Sequence, residues 1–482
     1  MRCAMTKSRP VRPALLSRRH LLAGLGSAGL LAPSAGFAQT AAEAPKAADA
    51  AQPRTLTAAT AKARLRPTPP VETEIWAFDG ATPGPTLRIK QGETLNLKLE
   101  NRTTAPLGLH WYGLRGEAAR DGVGGFSQPP ILPGETGEIR LTPPDSGTLL
   151  YRPLVLGGSS EPCGRGLSGL LVVEETEPPA VDLDLPVLVT DWLLGDDQSL
   201  QPFVLQGNPA ASAGRLGSWL TVNGRSPPLP VTARPGARIR LRLANACNAR
   251  IMRLRFDGGK PTVIAVDSQP TESFEPVRSQ LPFAPGTRYD VILDLPVEVG
   301  ASVNVTALIG PGLPLVRIVT AGEPKVPPAA VPALKLNPTL PAAVRMQDAT
   351  RPEIVIEGGA KLGDDQKLDF SGLDLARPWL VNGGVGSLDS KSLFSVKRGT
   401  PMVIAIDNRT AFIQPIHVHG HSFRLLHPLD DGWENYFLDT VQIPERKKLH
   451  IAFIADNPGR WLISSTVLER FDLGVWTWFE VT

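Results

Sequence analysis

The chain has 482 residues, with 50 Lys and Arg against 47 Asp and Glu and a formal charge of +3. Residues 1–38 hold six of the cations (Arg2, Lys7, Arg9, Arg12, Arg18 and Arg19) and no acid, so the remainder carries −3. A net acidic working region excludes partners that are recognised through a cationic surface, nucleic acid first among them.

The first element is a targeting segment. Ser17-Arg18-Arg19-His20-Leu21-Leu22 has the form of a twin-arginine signal, a largely apolar run from Leu21 to Leu31 follows, and Gly36-Phe37-Ala38 supplies small residues for cleavage. Residues 1–38 are therefore read as a signal peptide, with the periplasm as destination through the twin-arginine pathway. The apolar run is shorter than the roughly 20 residues that cross a bilayer. No later segment reaches that length either, so no integral membrane span is expected. Gly24-Leu25-Gly26-Ser27-Ala28-Gly29 fits a dinucleotide fingerprint. That motif acts only between a strand and a helix, where backbone N–H groups meet a pyrophosphate, and here it lies in the export segment. Residues 39–55, rich in Ala and polar groups, read as a disordered tether.

Beyond the tether the signals are those of strands. Pro (48) and Gly (46) are spread along the chain and punctuate it too often for long helices. Thr86–Lys90, Leu95–Leu99, Ile239–Leu243 and Met252–Phe256 alternate apolar and polar residues, which predicts one face in a core and the other in water. Glu174–Ala180 and residues 321–352 read as linkers. The fold class is all-β, with three consecutive β-sandwich domains at 56–175, 180–320 and 350–482. An internal repeat runs through them. Asp79-Gly80, Asn223-Gly224 and Asn382-Gly383 are each followed by a Gly-bearing turn (Gly92, Gly236, Gly399). Each unit then has a strand ending in Asn101, Asn245 or Asn408. Pattern alone leaves cupredoxin-like, immunoglobulin-like and jelly-roll units open.

Motifs narrow the choice. The first domain has Pro83-Gly84-Pro85-Thr86, His110-Trp111-Tyr112-Gly113 and Gly166-Leu167-Ser168-Gly169. The second has Asn245–Arg250 and Pro285–Asp290, and the third has Pro415–His421, Asp439-Thr440-Val441 and Ala455–Trp461. From about residue 70 to the last residue the chain resembles the laccase-like multicopper oxidases. That resemblance implies three cupredoxin-like Greek-key sandwiches, one blue copper that takes electrons, and a three-copper cluster that reduces oxygen. It also implies ten histidines and a cysteine as ligands. After residue 38 the chain has six histidines: 110, 417, 419, 421, 427 and 450.

The resemblance also places the shortage. Gln414, Ser465, Arg470 and Val475 match the blue-copper ligands, and none supplies the thiolate or imidazole that such a copper takes. Tyr112, Arg152, Leu154, His419, Ser464 and Thr466 match the six histidines of the coupled copper pair. A guanidinium stays protonated and accepts no bond, so Arg152 cannot ligate. His110 and His417 match the ligands of the remaining copper. Together with His419 they form the candidate metal site, able to hold one Cu(II) or Zn(II). The alternative is a hydrogen-bonded remnant cluster. His421, His427 and His450 read as ordinary surface or interface residues.

Arg152 and Arg470 are expected either to supply the positive charge of the missing coppers, paired with carboxylates, or to be solvated. Cys163 and Cys247 either pair in the oxidising periplasm or stay free. No residue is assigned a catalytic role. The expected cofactor complement is none or a single copper ion. Two functions remain. One is a non-catalytic scaffold that binds a periplasmic protein partner, similar to the copper-free cell-division relative of the family. The other is a copper-binding protein or oxidoreductase with a residual mononuclear site.

Overall fold

The structure is a computed structural model that describes residues 53–482 apart from 206, 327–328, 332, 342–343, 364–366 and 427–431. The signal peptide, the glycine motif within it, residues 39–52 of the tether and His427 lie outside the described residues. Three β-sandwiches follow one another. In the first, Arg54–Ala63, Thr73–Phe78, Leu95–Arg102 and Thr136–Leu141 form one sheet, and Leu87–Lys90, Leu109–Tyr112, Gly147–Pro153 and Gly169–Glu174 form the other. The first strand begins at Arg54, two residues inside the stretch read as tether. The second sandwich packs a six-stranded on a five-stranded sheet, and the third packs two five-stranded sheets. The α-helices among the described residues are α1 (Ser160–Gly164) and α2 (Leu468–Asp472), of five residues each.

The internal repeat has a physical basis. At each of the three dipeptide turns both residues have positive φ: Asp79 51° and Gly80 75°, Asn223 48° and Gly224 72°, Asn382 51° and Gly383 77°. Tight turns of this kind favour Asn or Asp followed by Gly because few other residues reach that region without strain. The strand-ending asparagines share one task. Each is fully buried, and its amide NH2 donates to backbone carbonyls: Ala105 and Ile131 for Asn101, Arg250 and Phe283 for Asn245, and Phe412, Ile443 and Pro444 for Asn408. Each side-chain carbonyl accepts the N–H two residues on, at 3.0 Å in all three. One asparagine thus closes the same loop in every sandwich.

The alternating pattern holds in Leu95–Arg102, where Leu95, Leu97 and Leu99 are buried, and in Met252–Asp257. It fails in Arg238–Asn245, which is buried along its whole length. Arg240 and Arg242, expected to face water, lie under the first sandwich. Arg240 bonds Glu175 and Asp290, and Arg242 bonds Asp184 (2.7 Å), Asp290 (3.2 Å) and Thr148 of the first sandwich (2.9 Å). Single-sequence alternation cannot separate a solvated face from one covered by another domain with matching charge.

The stretch at 321–352 is not a free linker. Leu334 and Asn337 are buried. The Asn337 side-chain carbonyl accepts the Ser146 N–H (3.1 Å), and its amide donates to Gln269 (2.8 Å). Thr339 donates to Asp145 (3.2 Å), which also receives the Arg115 guanidinium at 2.6 Å. The segment is therefore pinned across the first two sandwiches.

Cys163 and Cys247 are free and buried, which settles the pairing question against a disulfide. The Cys163 thiol donates to the Pro153 carbonyl (3.2 Å), and burial pushes its pKa up to about 12; burial also holds Cys247 well above the usual thiol range. Thiolate is the reactive form, so both should resist a thiol reagent in the native protein. The expected result is no rapid labelling of Cys163 or Cys247 until denaturant is added, then two thiols from residues 39–482. Fast labelling of either in the native state would contradict the burial.

Candidate metal centre

The strand Leu109–Tyr112 is buried along its length and carries His110. The strand Gln414–Val418 carries His417 and pairs it with Thr440 on one side and Ser464 on the other. His419 follows at the strand's end. The structure brings these three histidines together: their ring centroids lie 4.4–5.4 Å apart. All three are buried. The loop that completes the site depends on Gly122, at φ 81°. A Cβ there would stand 1.9 Å from the Leu109 carbonyl, so only glycine lets the loop lie against the histidine strand. That close approach delivers Asp121.

Hydrogen bonds fix the tautomers. His110 Nδ1 faces the Asp121 carbonyl at 2.8 Å, and His417 Nδ1 faces the Asp439 carbonyl at 2.9 Å. A carbonyl only accepts, so both Nδ1 atoms carry the proton. His419 Nδ1 donates to the Asp121 carboxylate at 2.8 Å. Each Nε2 is left as a bare lone pair. His419 Nε2 takes the Ser464 hydroxyl (2.9 Å), but those of His110 and His417 face each other at 3.3 Å. One possible ligand atom from each of the three rings lies within 4.8 Å of the others. Two opposed lone pairs repel unless a cation lies between them. A separation of 3.3 Å is close to the edge of a tetrahedron whose corners lie about 2.0–2.1 Å from a zinc-like ion. The donor set of His110, His417 and His419 therefore fits one ion.

Burial favours the neutral form of His417 and His419. Burial lowers the pKa of His417, and that of His419 to about 3, against the opposing pull of Asp439 and Asp121. Burial tends to raise the Asp121 carboxyl, but the imidazoles of His419 and His110 outweigh it and keep Asp121 well below the usual carboxylate range. Asp439 belongs to a second group. Arg288, fully buried, grips it with two bonds (3.0 and 2.5 Å) and lies 3.6 Å from Asp267. Burial raises Asp439, but Arg288 and His417 overcome that and hold it low. Asp267 is raised by burial and by Asp439.

The other ligand positions of the resemblance also meet in space but hold different chemistry. Gln414 accepts from Arg470 at 2.9 Å, Val475 N–H donates to the Arg470 carbonyl at 2.8 Å, and Ser465 N–H donates to Val475 at 2.9 Å. This set has no sulfur and no imidazole, so it does not fit a blue copper. Among the coupled-pair positions, Arg152 donates to the Tyr112 hydroxyl (2.7 Å) and to the Thr466 carbonyl (3.2 Å). Leu154 lies in an apolar cluster with Val123 and Cys163. A pair of coppers does not fit here. Both arginines are buried, as expected of a charge role, but among the described residues no carboxylate bonds either guanidinium. Their bonds go to carbonyls, an amide and a phenol.

His421 corrects the reading as a surface or interface residue. It is buried among Phe453, Trp461 and Phe479, with centroids 5.2–5.6 Å away. His450 is half-buried on Lys448–Ala455. The sequence reading missed Asp121, Asp439 and Arg288 as supports of the site. Asp439 lay within a quoted motif, whereas Asp121 gives no signal until the Gly122 loop is folded.

Three family models, each described as multicopper oxidase, match residues 59–178, 184–301 and 361–482. The chain belongs to the multicopper oxidase family. It is 28% identical to multicopper oxidase MmcO of Mycobacterium tuberculosis, over 93% of both chains. It is 29% identical to cell division protein FtsP of Sodalis glossinidius, over 83% of both. A crystal structure of a multi-copper oxidase from Pseudomonas thermotolerans superposes with a TM-score of 0.78 at 28% identity, covering 89% of this chain and 99% of that one. No described helix is long and apolar enough to cross a membrane.

Proposed function

We propose that this protein is an exported, non-catalytic member of the family whose three sandwiches serve as a rigid scaffold for a protein partner in the periplasm. The observation that carries this reading is Ser465, fully buried where the family's thiolate would stand, with its hydroxyl accepting the Val467 N–H at 3.2 Å. Without sulfur at that point, electrons have no copper–thiolate entry and no route onward to a cluster. The FtsP relatives, named for cell division, support a cell-envelope role. Ser17–Leu22 supports export by the twin-arginine route.

A second reading rests on the opposed Nε2 atoms of His110 and His417. There the protein binds one metal ion, copper or zinc, through His110, His417 and His419. When bound, such an ion supplies Lewis acidity or a one-electron couple. The chain's own part is to aim three imidazoles, through Asp121 and the Asp439 carbonyl, while burial favours the neutral form of His417 and His419.

Copper loading of the protein from residue 39 onward, followed by dialysis and metal analysis, tests both readings. The expected result is at most one copper per chain, no intense blue absorption, and no oxygen uptake beyond that of free copper. One tightly held copper that is lost in His417→Ala favours the second reading. A four-copper complement with oxygen consumption would overturn both.

A further inference from the structure

The mismatch at the blue-copper position points to what fills it. Arg470 lies on α2 and is 1% exposed. One terminal nitrogen donates to the Ile413 carbonyl (2.7 Å) and to the Gln414 side chain (2.9 Å), and the other donates to the Ser212 carbonyl (3.0 Å). The guanidinium carbon stands 4.8 Å from the Trp379 ring centre and 5.5 Å from that of Phe412. Trp379 in turn donates to the Ala210 carbonyl at 2.8 Å. Three chain segments thus converge on one cation: the start of Gln414–Val418, the stretch 210–212 from the second sandwich, and α2 itself.

No described carboxylate bonds this guanidinium. Glu469, next to it in sequence, turns away to Asn248 (3.1 Å) and the Arg215 N–H (3.2 Å). Glu469 pulls on this cation only through space, and a buried charge with no hydrogen-bonded counter-charge is costly unless oriented dipoles and ring faces replace its water. Here two backbone carbonyls, an amide oxygen and two aromatic faces do so, and a planar fork suits that cage better than a point charge would. Burial lowers the Arg470 pKa to about 9, still above neutrality. Arg152 repeats the theme: it bonds the Tyr112 hydroxyl and lies 4.7 Å over the same ring.

We propose that Arg470 is a resident cation. Its guanidinium replaces ligand–metal bridging at this position with direct hydrogen bonds, ties the second sandwich to the third, and closes the position to metal. The inference does not depend on whether the histidine cluster takes an ion, because the two sites use different residues.

Thermal unfolding of Arg470→Met and Arg470→Ala tests it. Met keeps most of the volume without charge or fork, and Ala leaves a guanidinium-sized hole. Both should melt several degrees below the unsubstituted protein. Added methylguanidinium should restore the midpoint of the Ala variant, whereas neutral, isosteric methylurea should not. Arg470→Met melting at the original temperature would overturn the proposal, as would equal rescue by methylurea or, where the Ala variant folds, rescue by neither. If the Ala variant does not fold alone, the same comparison is made on its refolding yield. If no yield is recovered, the Met melting temperature decides.

Discussion

Replacing Arg288 with alanine is expected to destabilise the folded protein by about 3–5 kcal/mol, the usual cost of removing one partner from a buried ion pair. Arg288 is fully buried between Asp439, which it holds with two bonds, and Asp267, 3.6 Å away. Its loss leaves two buried carboxyls facing each other with no cation. The Gly286 carbonyl (2.6 Å) and the Ser268 hydroxyl (3.2 Å) lose their donor as well. The effect should extend to the cluster of His110, His417 and His419, because the Asp439 carbonyl orients His417. Denaturant unfolding measures the stability loss, and metal retention by the folded fraction measures the second effect. A loss below about 1 kcal/mol would place Arg288 among exposed, weakly coupled charges and contradict its burial.

Replacing Asp290 with alanine is expected to cost a similar amount, about 3–5 kcal/mol, for the opposite reason. Asp290 is 2% exposed and receives Arg240, Arg242 (3.2 Å) and the Thr148 hydroxyl of the first sandwich (2.7 Å). Its removal leaves two buried guanidinium groups sharing Glu175 and Asp184. The pH dependence follows from the direction of its shift. Burial raises Asp290, but Arg240 and Arg242 outweigh burial and depress its folded pKa. A depressed carboxyl stabilises the fold above its unfolded value near 4 and loses that contribution as pH falls through the folded value. The difference between the unsubstituted protein and Asp290→Ala should therefore be full at neutral pH and shrink in strong acid. Parallel urea titrations at neutral and strongly acidic pH check this. A difference that grows on acidification would reverse the assigned sign.

Much of the fold was legible because its determinants are local. The turns at Asp79-Gly80, Asn223-Gly224 and Asn382-Gly383 need positive φ, and the closing asparagines 101, 245 and 408 need one side chain each, so both appear as short motifs. Alternation in Leu95–Leu99 reports one buried face of one strand. What failed was set by contacts distant along the chain. Arg240 and Arg242 looked solvated because their partners Glu175, Asp184 and Asp290 come from other strands and loops. His421 looked peripheral because the rings that bury it, Phe453, Trp461 and Phe479, are 32, 40 and 58 positions away along the chain. The three histidines of the centre were legible through a motif, but their protonation was not. That depends on which oxygen each Nδ1 meets, and only the folded loop at Asp121 and the strand at Asp439 decide it.

The pinned stretch between the second and third sandwiches changes what cutting the chain would do. With Asn337 lodged beside Ser146 and Gln269, and Thr339 on Asp145, the connecting peptide acts as a strap that runs back over the opening lobe before the closing lobe begins. A protease nick at one exposed point of this strap would cleave the backbone without releasing either fragment. The halves would travel together on a sizing column and separate only in denaturant.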